Sequence, residues 1–311
     1  MARTDVERGV SVLELDVVIV SYRCREHLRN CLKSLRLHPP RLAQMHVHVV
    51  DNSSADGTTE MVRDEFGEVE LHALKANVGF SVGCNVAMRS SVADYLLLLN
   101  PDTEVTEGAI DHLIRRLRSR PDVGLIGPRL VLPDGTFDHA SKRSFPTPLA
   151  AMAHFLRVGR SRFAPRSLGQ YRAPTLPEDE VGEVDALNGA FMLARREALD
   201  EVGPLDEGYW LYMEDLDWCY RFMRSGWKVL YDGTVTVVHV KHGSTGSHRP
   251  VRQEVAFHRG MGRFYRKFYG GRHAWLDAAV YSAIGLKLAI SLARQGAVQL
   301  PRAARARKAD A

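Results

Sequence analysis

Apolar positions arrive along this chain in short blocks separated by polar turns, and the length and spacing of the blocks predict the elements. Tyr95–Leu99 (YLLLL) is five apolar residues without a break. That is too short for a membrane span and too uniform for a half-exposed strand, so it predicts a fully buried central strand of a parallel sheet. The block ends in Asn100-Pro101-Asp102. Pro101 has no N–H to donate and stops the ladder. Asp102 is thereby left at the carboxyl edge, where open α/β sheets bind ligands. The plainer alternative is a turn, Asn-Pro-Asp-Thr, leading into a helix over Thr106–Arg118.

Around this centre, Leu15–Val20, His46–Val50 and Val69–Ala73 predict three more strands. Helices are predicted over Glu26–Leu37, with Leu28, Cys31, Leu32 and Leu35 at helical spacing, and over Thr58–Phe66. A third opens at the Gly-containing loop Asn77–Asn85 and runs to about Ser90. Strand and helix alternating with short connections predict right-handed βαβ units and an α/β fold with a mostly parallel sheet. After Arg120 the rhythm changes. Val123–Pro128 and Arg129–Leu132 read as short strands followed by a hairpin turn, Pro133-Asp134-Gly135. His139–Glu183 is a long excursion rich in Pro, Arg and Ser. Strands return at Ala190–Ala194, Trp227–Tyr231 and Thr234–Val240, with a helix over Glu214–Arg224.

From Val251 onward the pattern is helical. Leu276, Val280, Ile284, Leu288 and Leu292 repeat four apart. A span needs about 20 mostly apolar residues, and Lys287 interrupts this one. The stripe predicts instead an interfacial helix followed by the basic end Arg302, Arg305, Arg307, Lys308. A helical pair capping the core is the alternative, and the two are compatible.

Charge sharpens that picture. The net charge of +5 is unevenly spread: Arg249–Ala311 has 13 Lys/Arg against 3 Asp/Glu, a balance of +10, while Met1–His248 has 29 against 34, a balance of −5. An acidic body with a basic tail suits an anionic membrane surface. Nucleic acid is disfavoured, because the arginines are interleaved with the aliphatic stripe. Four cysteines without metal-ligand spacing, and no apolar signal core in Met1–Leu13, predict a reduced chain in the cytoplasm, peripheral on the inner face of the membrane.

Polar residues close four successive predicted strands: Ser21-Tyr22, Asp51-Asn52, Asn77-x-Gly79 and Asn100-x-Asp102. In a parallel sheet they project to one edge and form a crevice of amides, carboxylates and free N–H groups, which suits a nucleotide with a metal on its phosphates. Each alone is an equally good turn-former; the recurrence is the signal. No dinucleotide Gly-x-Gly-x-x-Gly or Walker loop is present, which disfavours nicotinamide dehydrogenases and ordinary NTPases. A second cluster, Trp210-Leu-Tyr-Met-Glu214-Asp215-Leu-Asp217-Trp218, crowds three carboxylates at a helix start. Acids there gain about 0.3–1 kcal/mol each from the helix dipole. Aromatic rings beside them also suit a sugar, and a carboxylate there can deprotonate a hydroxyl. A third, His239-Val-Lys-His242-Gly243, follows a strand end and suits a metal or phosphate as readily as filler.

Together, VVIVSYR, VVDNSSADGT, NVGFSVGCN, LLLLNPDTE, LNGAFMLARREALDEVGPLDEGYWLYMEDLDWCYR and VVHVKHGST resemble, in order, the inverting glycosyltransferases of family 2, over about Leu15 to Thr245. The resemblance implies a GT-A fold over residues 1–245, with a nucleotide-sugar half at about 15–105, an acceptor half at 106–245 and a helical tail at 246–311. It implies a nucleotide-diphosphate sugar as donor, with Mg²⁺ or Mn²⁺ on the diphosphate. Carried over by position, Ser21, Tyr22, Asp51, Asn52, Asn77, Gly79 and Asn100 bind the nucleotide sugar, and Asp102 and His239 hold the metal. Asp215 is the base, and Glu214, Trp210 and Asn188 meet the acceptor. Asn100 departs from the family's usual Asp-x-Asp and leaves one metal carboxylate instead of two. The Asn-Pro-Asp-Thr form resembles a subgroup rich in rhamnosyltransferases, implying dTDP-L-rhamnose as donor and a polyprenyl-diphosphate-linked N-acetylglucosamine as acceptor. A glucosyl-, galactosyl- or mannosyltransferase using a UDP- or GDP-sugar, and a non-catalytic nucleotide-sugar or lipid-binding protein, stand as alternatives.

Overall fold

The computed structural model describes residues 12–145, 176–241 and 250–309, with side chains of the last helix as far as Gln295. Most of the predicted excursion, the His242–Thr245 loop and the basic side chains beyond residue 301 lie outside the described residues.

The first half follows the sequence closely. Strands β1 (Leu13–Ser21), β2 (Ala43–Asp51), β3 (Glu70–Ala73) and β4 (Tyr95–Leu99) are joined by helices α1 (Arg25–Leu37), α2 (Thr58–Glu65) and α3 (Phe80–Met88). They lie parallel in the order β3-β2-β1-β4, Val17 pairing with Val47 on one side and Leu97 on the other. All five residues of β4 are buried. The periodicity explains why: β4 has neighbours on both edges and helices on both faces, so every side chain meets protein.

Beyond β4 come β5 (Thr103–Glu104), α4 (Ala109–Ser119), β6 (Val123–Val131), β7 (Lys142–Arg143), β8 (Val181–Glu183), β9 (Ala186–Leu187) and β10 (Phe191–Arg195). The chain continues through α5 (Arg196–Val202), α6 (Glu214–Arg224), β11 (Lys228–His239), α7 (Val251–Phe268) and α8 (Ala274–Ala309). Strand β10 runs antiparallel between β4 and β6, and β11 pairs parallel with β6, extending the same sheet. Two predicted breaks are absent. Val123–Val131 is one strand through Pro128, and Lys228–His239 is one strand with a register shift between Asp232 and Thr236, where Asp232 accepts the Thr234 N–H. The predicted turn at Pro133–Gly135 is present: Leu132 N–H donates to the Thr136 carbonyl, Asp138 N–H to the Leu130 carbonyl, and Val131 bridges antiparallel to Phe137.

The sheet separates two cores. One packs α1, α2 and α4 against odd-numbered positions such as Val17, Ile19 and Leu97; the other packs α3, α5, α6 and α7 against Val18, Val20 and Leu98. Helix α7 sinks Phe264 into the second core and pairs Arg263 with Asp206 and Lys267 with Asp217. Helix α8 runs back along α7: Asp277 accepts the Tyr265 hydroxyl, and Ser291 reaches Glu254. The predicted stripe is half-buried, with Val280 buried, while Trp275, Leu286 and Ile290 are exposed. Despite Lys287, Ala274–Gln295 is by length and composition long and apolar enough to cross a membrane.

Candidate active site

The carboxyl ends of β1, β2 and β4 open onto a cavity of about 530 Å³. One wall is built by strand-end loops. The Asn52 side-chain amide donates to the Gly79 carbonyl at 3.1 Å and to Asn77 Oδ1 at 3.3 Å, while its own oxygen accepts the Val78 N–H at 2.9 Å. Asn52 therefore staples the third loop to the second strand end. Gly79 has φ +92, and a Cβ there would lie 2.5 Å from the Trp210 ring and carbonyl, so only glycine lets the two loops meet. Tyr22, Asn52, Asn77, Gly79, Asn100 and Asp102 all line the cavity.

Ser21 and Asp51 do not line it. Ser21 is fully buried with its hydroxyl against Cys24 Sγ. Asp51 sits beside Asn52 with Oδ2 accepting the Ser54 N–H, and Oδ1 buried without a partner among the described residues. Burial raises its pKa, since an ionised carboxylate there is poorly solvated.

The opposite wall comes from the second half. Asn188, Gly189, Trp210, Glu214 and Asp215 line it. Asp215 Oδ2 accepts from Arg143 at 2.5 Å and from the Gly189 N–H at 3.2 Å. Glu214 is 6% exposed, and its Oε2 has no partner among the described residues. Burial, and then the neighbouring Asp215 charge, push its pKa well up. Two adjacent carboxyl groups thus differ in kind: Glu214 keeps its proton at neutral pH while Asp215 faces a guanidinium. The backbone entering α6 is strained, with Tyr212 at φ +69 and Met213 at φ +74. Such geometry costs about 1–3 kcal/mol per residue and persists where packing imposes it.

Between the walls, His239 Nε2 faces Asp102 Oδ1 at 3.5 Å. Its other ring nitrogen meets Asp138 Oδ2 at 3.0 Å, and Lys241 donates to the second Asp138 oxygen at 2.6 Å. Burial alone would lower the His239 pKa, but the two carboxylates outweigh it and raise it to about 9. Asp102 is held below the usual carboxylate range because the His239 hydrogen bond overcomes its burial. A carboxylate holding one ring nitrogen turns the other toward the cavity, the arrangement by which histidines ligate metals. The donor set therefore fits a divalent cation, with one carboxylate and one imidazole from the protein and Asn100 contributing only an amide.

A family model described as "Glycosyl transferase family 2" matches residues 16–203. The chain belongs to that family. The N-acetylglucosaminyl-diphospho-decaprenol L-rhamnosyltransferase of Mycobacterium tuberculosis is 33% identical over 245 residues, 75% of this chain and 78% of that one. Among solved structures, the mannosyltransferase PcManGT from Pyrobaculum calidifontis, in complex with GDP-Man and Mn²⁺, superposes with TM-score 0.55 at 14% identity. That match covers 95% of this chain and 76% of that one. GalNAc-T7 with UDP, GalNAc and Mn²⁺ gives TM-score 0.57 at 16% identity; 88% of this chain matches, spanning 55% of that one. The fold is GT-A, and the protein is a glycosyltransferase.

Four residues of this glycosyltransferase's site escape the sequence reading. Asp138 and Arg143 lie at or just inside the irregular stretch and reach His239 and Asp215. Gln253 lines the cavity and Arg252 stacks 4.1 Å from the Trp210 ring, both from α7, which reads as tail. Nothing local in Asp138 or Arg143 marks them. The periodicity of α7 carried a hint, because Arg252 and Gln253 precede its first buried positions.

Proposed function

We propose that this glycosyltransferase moves L-rhamnose from dTDP-L-rhamnose to N-acetylglucosamine carried on a polyprenyl diphosphate, inverting the anomeric carbon. The observation that carries the choice of sugar and acceptor is the 33% identity to the M. tuberculosis rhamnosyltransferase across three quarters of both chains. The geometry supports the reaction class: one cavity has an amide-rich strand-end wall and, facing it, a carboxylate at the base of α6.

The chain's own residues divide the work. The amides of Asn52 and Asn77, both on the cavity wall, fix the loop under the donor. Mg²⁺ or Mn²⁺ held by Asp102 and His239 would neutralise charge on the departing nucleotide diphosphate. Asp138 holds His239 in place for that task. Arg143 and the Gly189 N–H fix Asp215 so that it takes the proton of the acceptor hydroxyl behind the anomeric carbon. Glu214, carrying its proton, offers an O–H to a sugar oxygen. Holding both substrates in line supplies much of the rate gain.

A lipid-linked acceptor requires a membrane. Helix α8 presents Trp275, Tyr281, Leu286 and Ile290 to the outside, and the chain from Arg249 onward carries a balance of +10. Aromatic and aliphatic side chains on a basic helix suit an anionic cytoplasmic surface, with the cavity close to the lipid diphosphate.

The test is a transfer assay on the full chain with Mg²⁺ or Mn²⁺, a short polyprenyl-diphosphate N-acetylglucosamine and nucleotide sugars supplied singly. A deoxyhexose increment in product mass with dTDP-rhamnose alone is expected. A hexose increment from a UDP- or GDP-sugar would overturn the rhamnosyl assignment and leave the reaction class standing.

A further inference from the structure

A second cluster of metal-ligating side chains lies away from the cavity, on the edge of the sheet. His48 of β2 pairs in register with Glu70 of β3, and Val50 with His72. Val50 belongs to the core on the α3 side, and alternation along each strand puts His48, Glu70 and His72 on that same face. None of the three lines the cavity.

Their geometry does not look like an ordinary ion pair. His48 Nδ1 lies 3.3 Å from one Glu70 oxygen, and His72 Nε2 lies 3.2 Å from the other. A charge-assisted N–H···O bond would close to about 2.7–2.9 Å. Both His48 nitrogens and His72 Nε2 are buried without a hydrogen-bond partner among the described residues, and the His48 side chain is 9% exposed. Leaving such atoms unmade costs about 1–3 kcal/mol each. Separations near 3.3 Å are what two ligands show on one tetrahedral ion with bonds of about 2.0–2.1 Å. The three ligand atoms all fall within 4.8 Å of one another. Behind them, His48 Nε2 faces Asp16 at 3.6 Å. A closer approach of the two would make the carboxylate–histidine pairing that orients metal-bound imidazoles.

We infer that His48, Glu70 and His72 bind one divalent transition-metal ion of the Zn²⁺ class, with Asp16 orienting His48. Two imidazoles and one carboxylate suit Zn²⁺, Ni²⁺ or Co²⁺ and are poor ligands for Mg²⁺, which demands octahedral oxygen. The ion ties β3, a four-residue edge strand that among the described residues pairs only with β2, to the body of the sheet. β3 leads directly into the Asn77–Gly79 loop, so the clamp braces the start of the cavity wall.

The experiment uses the full chain, stripped with a chelator and held in excess Mg²⁺, titrated with Zn²⁺ by calorimetry and followed by thermal melting. Wild type and Asp102→Asn are both expected to bind Zn²⁺ at this site and to gain a few degrees in Tm. His72→Ala and Glu70→Gln, changes at partly exposed side chains, should lose that binding by about 100-fold or more, and Asp16→Asn by about 10–100-fold. Zn²⁺ binding equal to wild type in both His72→Ala and Glu70→Gln would overturn the site. So would binding that disappears in Asp102→Asn but survives in His72→Ala, or no Zn²⁺ binding at all.

Discussion

The two walls of the cavity are built by opposite strategies. On the strand-end wall, each polar residue sits within a few positions of the strand that carries it, and side-chain amides bind the backbone of the next strand-end loop: Asn52 serves Val78 and Gly79. On the α6 wall, charged groups from other segments do the aiming. Asp215 is held by Arg143 and Trp210 by Arg252, pairs that join segments far apart in the chain, and His239, held by Asp138, stands between the walls. The first wall is a backbone device that presents amides; the second is a set of long-range charge contacts that aims catalytic groups. Damage to the first, or to the His239 group between the two, should therefore appear as lost donor binding or stability, and damage to the second as lost turnover.

The largest effect expected is in Asp215→Asn, which should lower transfer by about 10²–10⁴-fold, the usual worth of a general base. Single-turnover assays check it, and near-normal turnover would remove Asp215 from that role. Next comes Asp138→Asn, which leaves His239 without its buried anchor and should weaken Mn²⁺-dependent donor binding about 10–100-fold. Calorimetric titration with and without Mn²⁺ distinguishes this from simple unfolding, and unchanged binding would break the link between the two walls.

The contrast also explains what the sequence discloses. Strands β1 to β4 and the helices between them are legible because buried strands and amphipathic helices have short periods, and turn-formers follow each strand. Asn100-Pro101-Asp102-Thr103 forms the turn, with Thr103 N–H closing on the Asn100 carbonyl, and that turn sets Asp102 on the cavity facing His239. Asp138 and Arg143 are silent in the sequence because their partners lie about 100 and about 70 residues away, and an ion pair has no period. Pro128 reads as a strand break, yet β6 runs through it. Helix α7 reads as tail because its aromatic positions match a membrane-facing stripe equally well, and only the packing of Phe264 into the second core reveals a wall element.

Two smaller effects sharpen the same division. Gly79→Ala sets a methyl against Trp210 at 2.5 Å in a left-handed backbone, and should cost about 1–3 kcal/mol in denaturant unfolding. Unchanged stability would show that the loops part easily. Glu214→Gln tests the carboxyl pair through pH. The folded Glu214 pKa lies above its unfolded value near 4.3, so stability tied to its proton is complete below that value and drains as pH rises through the folded one. The variant should melt with wild type near about pH 5 and a few degrees above it near about pH 9. Parallel melting at both pH values would mean that Glu214 is ionised throughout.

The most direct measurement of the division of labour is donor affinity in Asp215→Asn, titrated with dTDP-rhamnose and Mn²⁺ beside wild type. Unchanged affinity in a protein that no longer transfers sugar is the expected result. Affinity lost together with turnover would contradict the account, because the two walls would then act as one.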